Sequence, residues 1–299
     1  QSLRAFWKFL TKAMIGAGMH VSKSDPCLFV SEKVIAVAFV DDILFWSSDV
    51  GYIDELGSKF RAQDLLLEQE DDAAGFLGVK MTQTEEGLLE MKQTGLIDRI
   101  IDALRLDSKL STNKWTPAEA EPLTCVKDGE PCQGSFSYAS VVGMMLYLAG
   151  HTRPDIAYAV NCCARYMFAL KLLHEVALKR IGRYLKATRD KGLILNLSGT
   201  LKIDAYPDAD FAGLYGYLKI TDPACVKSRT GFLITVLDCP MVWVSKLQTK
   251  TALSTMEAEI VALAHCCREL FSVCDIVKKV GDVVGSATDD LSLMHVSVH

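Results

Sequence analysis

The sequence predicts an α+β protein with β-hairpins and helices first, a mainly helical stretch next, and a mixed sheet with a packed helix last. Three observations support this prediction. Short apolar runs separated by turn residues occur near the start and again in the last hundred residues. Apolar residues with helical spacing fill the region from Ser137 to Lys191. The 299 residues are 50% hydrophobic and 23% charged, which is enough for more than one core.

Residues 1–110 alternate between helical spacing and hairpin patterns. Strand runs are bounded by turn residues, and apolar residues recur every three or four positions in the helices. The predicted elements are a helix over 3–17, strands over 34–38 and 43–46, a helix over 50–66, strands over 76–81 and 87–91, and a helix over 95–104.

Two adjacent carboxylates, Asp41 and Asp42, lie in the turn predicted for the first hairpin, directly after Phe39 and Val40. A hairpin tip could hold both carboxylates where a divalent cation neutralises them. Asp is also common in ordinary turns. The residues alone therefore leave a metal site and a simple turn equally open.

Residues 111–197 read as a linker followed by helices. The linker, 111–135, is rich in Pro and polar residues, and helices are predicted over 138–148, 154–167 and 172–187. Although the whole chain has net charge -5, residues 165–191 hold eight basic and two acidic side chains. A set of three cations on the last helix, spaced i, i+4 and i+7, shares one face: Lys179, Arg183 and Lys186. This face is either a phosphate-binding surface or an ordinary solvated one.

Residues 198–299 read as three antiparallel strands, a helix and a last strand. The strands are predicted over 201–206, 230–237, 241–245 and 291–298, and the helix follows the N-cap Ser254. Asp208 follows the first strand and Glu259 lies about one turn inside the helix, so we expect them to meet at one edge of the sheet. Glu257 is three residues after Ser254 and is assigned to helix capping. Two carboxylates alone are too few for two-metal hydrolysis.

Composition excludes several classes of protein. Ten cysteines occur without a CxxC pair or a Cys/His ligand spacing, which argues against a zinc site. No signal peptide or apolar run of membrane-spanning length is present, so we expect an intracellular protein, cytoplasmic or nuclear, without a membrane partner.

Eight ordered segments carry a resemblance to a known family. They are Lys23-Ser24-Asp25-Pro26, Phe39-Val40-Asp41-Asp42, Phe76-Leu77-Gly78-Val79, Thr152-Arg153-Pro154-Asp155-Ile156-Ala157-Tyr158-Ala159-Val160, Arg183-Tyr184-Leu185-Lys186, Asp208-Ala209-Asp210-Phe211-Ala212-Gly213, Arg229-Thr230-Gly231-Phe232 and Ala252-Leu253-Ser254-Thr255-Met256-Glu257-Ala258-Glu259. In this order the chain resembles the C-terminal part of the polyprotein of a copia-type retrotransposon, from the end of the reverse transcriptase through the RNase H domain.

The resemblance implies a palm hairpin of an RNA-directed DNA polymerase, in which two Mg²⁺ ions assist nucleotidyl transfer. Asp41 would be a direct metal ligand and Asp42 an electrostatic support, with Phe39 where the family more often has Tyr. Asp208 and Glu259 would be the first two of four carboxylates that bind two Mg²⁺ and cleave the RNA of an RNA–DNA hybrid.

The resemblance also implies domains and partners. Residues 1–110 would be the C-terminal part of the palm, 111–197 the linker with the helical thumb and connection, and 198–299 an RNase H-like domain. The expected partners are an RNA template, a DNA primer, an RNA–DNA hybrid and the remainder of the polyprotein, with the three cations of the last helix gripping the template–primer backbone.

Departures from the family pattern lead to a further expectation. The chain begins after the palm strand that should supply another Asp, and it ends at His299, directly before the expected third RNase H carboxylate. We therefore expect a fragment truncated at both ends, with incomplete active sites and no activity in isolation. The alternatives are a non-catalytic nucleic-acid-binding module and a decayed retroelement relic.

Overall fold

The computed structural model describes residues 2–23, 25–40, 42–47, 49–68, 75–106, 112–125, 129–196, 198–284 and 295–299. The backbone divides into two compact units, the first with residues 1–76 and 268–295 and the second with residues 77–267 and 296–299. No helix in the described ranges is long and apolar enough to cross a membrane. The three regions predicted from the sequence, 1–110, 111–197 and 198–299, are functional divisions and stay a prediction.

The first unit contains a four-stranded antiparallel sheet with the strand order β1-β2-β3-β4. Its N-terminal elements are α1 (Ser2–Gly16), β1 (His20–Val21), β2 (Leu28–Val30), β3 (Val34–Phe39), β4 (Asp42–Ser47) and α2 (Val50–Arg61). Asp49 caps α2 by accepting a hydrogen bond from the backbone N–H of Gly51 at 3.1 Å. The predicted first hairpin is confirmed.

Helices α1 and α2 contribute apolar faces to the hairpin's core. Val34, Ala36 and Ala38 of β3 point into this core, and Ile35 on the other face of the strand is buried as well. The main members of the core are Leu10, Met14, Phe29, Val34, Ala36, Ala38, Leu56 and Phe60. Each large apolar side chain in such a core stabilises the fold by about 1.5 to 3 kcal/mol. The hairpin tip therefore extends from a well-packed base.

The second unit combines a helical core with two sheets. Its complete elements are β5 (Lys80–Gln83), β6 (Leu89–Lys92), α3 (Thr94–Ala103), α4 (Tyr138–His151), α5 (Ala157–Ala164), α6 (Leu172–Ala187), β7 (Leu193–Leu195), β8 (Lys202–Asp210), β9 (Arg229–Val236) and β10 (Cys239–Leu247). Two further elements are divided between the units. Helix α7 (Thr255–Val284) belongs to the second unit as far as Cys267, and strand β11 (His295–Val298) belongs to it from Val296. Helices α3 to α6 share one buried cluster, in which Ile100, Val142, Leu148, Leu178 and Leu185 are fully buried. One sheet has the order β5-β6-β7 and the other β10-β9-β8-β11.

The sheet of the last predicted region has the expected antiparallel core. β8 pairs with β9 from Ile203↔Val236 to Asp210↔Arg229, and β9 pairs with β10. Helix α7 covers one face, where the rings of Phe232 and His265 are nearly perpendicular, with 5.1 Å between their centroids. Helix α7 follows β10 and precedes β11, as the sequence predicts.

Several boundaries differ from the prediction. The predicted strand over 76–81 begins only at Lys80, after a short 3₁₀ turn at Phe76–Gly78. The predicted helix over 154–167 is a 3₁₀ turn, Pro154–Ile156, followed by α5. The last strand is described only from His295, and 291–294 lie outside the described residues.

The predicted linker is held against α6 by buried side chains of that helix. Glu175, 2% exposed, accepts hydrogen bonds from the backbone N–H groups of Gln133 at 3.1 Å and Gly134 at 2.9 Å. The guanidinium of Arg180 donates to the backbone carbonyl of Thr116 at 3.2 Å and pairs with Glu119. These contacts satisfy backbone groups that would otherwise lack partners in an irregular segment.

His174 binds the same segment and is fully buried. Its Nδ1 accepts a hydrogen bond from the N–H of Lys171 at 3.0 Å, so Nε2 carries the proton and donates to the carbonyl of Thr124 at 3.0 Å. Burial lowers the pKa of His174, and the carbonyl of Thr124 and the charge of Lys171 act less strongly, in opposite directions. The folded protein therefore needs the neutral imidazole.

We expect acid to destabilise this contact. The pKa of His174 is lower in the folded than in the unfolded chain. Its contribution to the free energy of unfolding is therefore complete above the unfolded pKa and is lost as pH falls through the folded pKa. Urea unfolding at a series of pH values from about 8 to about 5 measures this loss. The free energy of unfolding should decline less for His174→Gln than for the unaltered chain. Identical pH profiles would contradict this role.

Candidate active sites

The first candidate site is the tip of the β3–β4 hairpin. Phe39 pairs directly with Asp42, and only Val40 and Asp41 lie between them. Asp41 lies outside the described residues. Phe39 and Asp42 are exposed, so the Asp42 carboxylate is open to solvent. Tight pairing up to the turn fixes where the return strand begins.

Val40 has an unusual backbone conformation at this tip. Its φ angle is 56°, in the left-handed region that a β-branched residue rarely adopts. Two-residue hairpin turns require positive φ, which explains why the chain enters this region here. Such strain costs about 1 to 3 kcal/mol and concentrates at functional sites.

The second candidate site contains Asp208, which lies within β8 and not after it, because the strand continues to Asp210. The partner directly opposite is Gly231, at which an added Cβ would come no nearer than 3.9 Å to any atom. The Asp208 side chain is exposed and makes no hydrogen bond or ion pair with another residue of the described ranges. The Asp208 carboxylate is therefore exposed to solvent, and the residue paired with it carries no side chain.

Glu259 lies on α7, and the two glutamates of its first turns have different roles. The N–H of Glu257 donates to Ser254 Oγ at 3.1 Å, and Glu257 Oε2 accepts from the N–H of Leu253 at 2.7 Å. Glu257 is thus a capping residue, as predicted. Glu259 is exposed, and within the described residues it has no such partner.

Asp208 lies on the sheet itself, whereas Glu259 lies on the helix that packs against it. Because strand residues alternate between faces, Asp208 shares a face with Asp210 and lies opposite the face of Phe232, which α7 covers. That the two carboxylates approach each other at the sheet edge stays a prediction. In the part of the chain that the structure describes, no group of three or more His, Cys, Asp and Glu side chains could hold a metal ion.

Asp210 has a separate structural position. A Cβ at Gly213 would overlap the Asp210 carboxylate, so glycine at that position lets the chain fold closely over this side chain. Across the sheet, Arg229 is paired with Asp210 and is 8% exposed. Its guanidinium donates to Asn161 Oδ1 at 3.2 Å and lies 4.9 Å from the Tyr158 ring. These contacts tie the start of β9, which pairs with the end of β8, to α5.

The predicted phosphate-binding residues on α6 are half-buried and partly used within the fold. Lys179 Nζ donates to Ser135 Oγ at 3.5 Å, and Lys186 Nζ donates to the carbonyl of Leu106 at 2.6 Å. The Nε of Arg183 is buried without a hydrogen-bond partner among the described residues. The helix therefore carries the three cations on one side, but two of them also stabilise neighbouring segments.

Comparison with known proteins identifies the family. No family model matches the chain. The chain is 30% identical over 289 residues to the retrovirus-related Pol polyprotein from transposon RE2 of Arabidopsis thaliana, covering 94% of the chain and 19% of that polyprotein. It is 31% identical over 276 residues to the corresponding polyprotein from transposon TNT 1-94 of Nicotiana tabacum, covering 86% of the chain and 19% of the relative. The chain belongs to the Pol polyprotein family of copia-type retrotransposons.

The chain spans about a fifth of the length of these Pol polyproteins. An uncharacterized mitochondrial protein of Arabidopsis thaliana, AtMg00810, is 31% identical over 238 residues, which are 78% of the chain and 91% of that protein. A stretch of similar extent therefore also occurs as a short protein. The predicted resemblance to a copia-type polyprotein is confirmed.

A buried polar network in this Pol segment was missed by the sequence analysis. Arg153, 2% exposed, donates to Asp155 through Nε at 2.9 Å and Nη2 at 2.8 Å, and to the carbonyl of Thr188 through Nη1 at 3.0 Å. Tyr184 donates its hydroxyl to Asp155 at 2.6 Å. Burial raises the pKa of Asp155, but the hydrogen bonds from Arg153 and Tyr184 outweigh it and leave the pKa lowered.

This network joins two of the segments that carry the family resemblance. Arg153 and Asp155 belong to the segment around Pro154, and Tyr184 belongs to the one on α6. The signal available in the sequence was an Arg and an Asp in a largely apolar helical region, where charged residues are buried only when paired. These residues link α4, α5 and α6, and none of their hydrogen-bond partners among the described residues is Asp42, Asp208 or Glu259.

Proposed function

We propose that this segment is part of an RNA-directed DNA polymerase with RNase H, and that it binds RNA–DNA hybrid at two carboxylate sites. The observation that carries the proposal is the tight pairing of Phe39 with Asp42, which leaves Val40 and Asp41 between two strands anchored in a buried core. Family membership supports this reading of the Asp-Asp pair.

At the hairpin tip, Asp41 and Asp42 would hold Mg²⁺ in the polymerase. Carboxylate oxygens are the ligands that Mg²⁺ prefers, and Mg²⁺ commonly uses one or two of them together with substrate phosphates. When bound, the ion neutralises phosphate charge and favours in-line displacement. The exposure of Asp42 and the strained turn at Val40 fit a tip that meets a large substrate.

In the RNase H-like region, Asp208 and Glu259 would hold Mg²⁺ next to the RNA strand. The exposed carboxylate of Asp208 and the absence of a side chain at its strand partner Gly231 favour the approach of a phosphate backbone. Because Glu257 is occupied by helix capping, Glu259 is the acid in the first two turns of α7 that is available for this role. Further ligands are required, since two carboxylates cannot complete a two-metal site.

Lys179, Arg183 and Lys186 would contact the phosphate backbone of the template–primer. Because the two lysines donate hydrogen bonds inside the fold, glutamine is the best replacement, since it removes charge and keeps a donor. The triple glutamine variant should bind a labelled RNA–DNA hybrid more weakly and with a flatter salt dependence. We expect the slope to fall by about one unit for each lost phosphate contact. Fluorescence anisotropy over a salt series measures both quantities.

A matched control is available on α1. Arg4, Lys8 and Lys12 are exposed and spaced i, i+4 and i+8, so their triple glutamine variant changes the net charge equally. This control should leave the salt slope unchanged. An equal loss in both triple variants would refute the assignment to α6, and a wild-type chain without salt-dependent hybrid binding would refute the proposed function.

A further inference from the structure

The connection between β8 and β9 presents aromatic side chains to solvent beside the Asp208 site. It covers residues 211–228 and begins three residues after Asp208. Tyr215 is 65% exposed and Tyr217 is 56% exposed. Within the described residues neither tyrosine makes a side-chain hydrogen bond or contacts another ring. Two large flat surfaces are therefore available to a partner.

The exposure of these rings is built into an ordered loop. Leu214, directly before Tyr215, and Leu218, directly after Tyr217, are buried in a small cluster with Cys225. The N–H of Tyr215 donates to the carbonyl of Ala212 at 2.8 Å, and the N–H of Leu218 donates to that of Leu214 at 3.1 Å. The loop thus holds leucines inside and tyrosines outside.

The charges of the loop favour an anionic partner. Its basic residues are Lys219, which is exposed, and Lys227, which is half-exposed. Its one acidic residue, Asp222, uses Oδ1 to accept a hydrogen bond from the N–H of Ala224 at 2.9 Å. Lys219 lies two residues after Tyr217, so an ammonium group follows the exposed rings closely along the chain.

We propose that this loop binds unpaired nucleotides by stacking bases on Tyr215 and Tyr217, with Lys219 contacting phosphate. Bases in a duplex already stack on one another, whereas unpaired bases can stack on aromatic side chains. The loop would therefore bind the single strand that continues beyond the hybrid held at Asp208. This inference rests on the proposed function and adds a substrate contact to it.

The test uses the full chain and two labelled probes, a blunt RNA–DNA hybrid and the same hybrid with a single-stranded extension of about ten nucleotides. The wild-type chain should bind the extended probe more tightly. The Y215A/Y217A variant should raise the Kd for the extended probe about fivefold or more for each lost stack, and leave the blunt probe unchanged. The Y215F/Y217F variant should bind like wild type, because stacking uses the ring and not the hydroxyl.

Phe271 provides the control, since it is 68% exposed on α7 and its alanine variant should bind both probes normally. Equal binding of the extended probe by wild type and Y215A/Y217A would overturn the stacking inference and leave hybrid binding intact. Equal losses on both probes would also overturn it. If the alanine variant changed only self-association, measured by sedimentation, the loop would be a protein contact instead. A wild-type chain that binds neither probe would refute the proposed function as well.

Discussion

Replacing Arg153 with alanine is expected to lower the free energy of unfolding by about 2 to 3 kcal/mol, because it removes a buried guanidinium and leaves the oxygens of the buried Thr188 and the half-exposed Asp155 without their charged donor. Arg153 supplies two hydrogen bonds to Asp155 and two to Thr188. Without it, the hydroxyl of Tyr184 is the one side-chain donor that the Asp155 carboxylate keeps among the described residues. Urea unfolding followed by circular dichroism measures the loss.

Arg189 is the matched control for this prediction. It binds Asp98 through two nitrogens in the same forked manner, but its side chain is 42% exposed. Surface ion pairs contribute about 0 to 1 kcal/mol, so Arg189→Ala should cost far less than Arg153→Ala. Arg153→Lys should recover little, because an ammonium group cannot form the planar fork. Similar losses in the Arg153 and Arg189 variants would show that burial does not set the energy here.

Local patterns predicted the hairpins and helices of this chain because each is determined by neighbouring residues. The capping pair Ser254 and Glu257 and the turn at Asp41-Asp42 are signals of this kind. Strands β1, β2 and β7 were missed, since two or three residues carry too little periodicity. β7 also pairs with β6, about a hundred residues earlier, and no local signal encodes such a contact.

The candidate sites were predictable as residues but not as geometry. Alternation along β8 could have assigned Asp208 to a face, but only the register with β9 shows that this face lies opposite Phe232. Helical spacing likewise aligned Lys179 and Lys186 without showing that each donates a hydrogen bond to another segment. Periodicity specifies which residues share a face, whereas long-range packing specifies what that face meets.

Glu175 is another residue whose long-range contacts the sequence does not show, and its replacement is expected to lower the stability of the fold strongly. In the sequence it is one of two acids among eight basic residues, with no visible task. In the structure its two carboxylate oxygens accept hydrogen bonds from the N–H groups of Gln133 and Gly134. An isolated antiparallel β-bridge pairs Pro131 of the same segment with Lys171, the residue before α6. The acid therefore stabilises a segment of irregular backbone.

Glu175→Ala is expected to cost about 2 to 3 kcal/mol in the free energy of unfolding, because two backbone donors lose charge-assisted bonds and one helix face loses its anchor. The same change should speed proteolysis within 129–136, since that segment would open more often. Glu119→Ala, which removes an exposed partner of Arg180 on the same helix, should do neither. Glu175→Gln keeps an acceptor oxygen and should fall between them. Protection of 129–136 that survives in Glu175→Ala would mean that apolar packing, and not this carboxylate, holds the segment on α6.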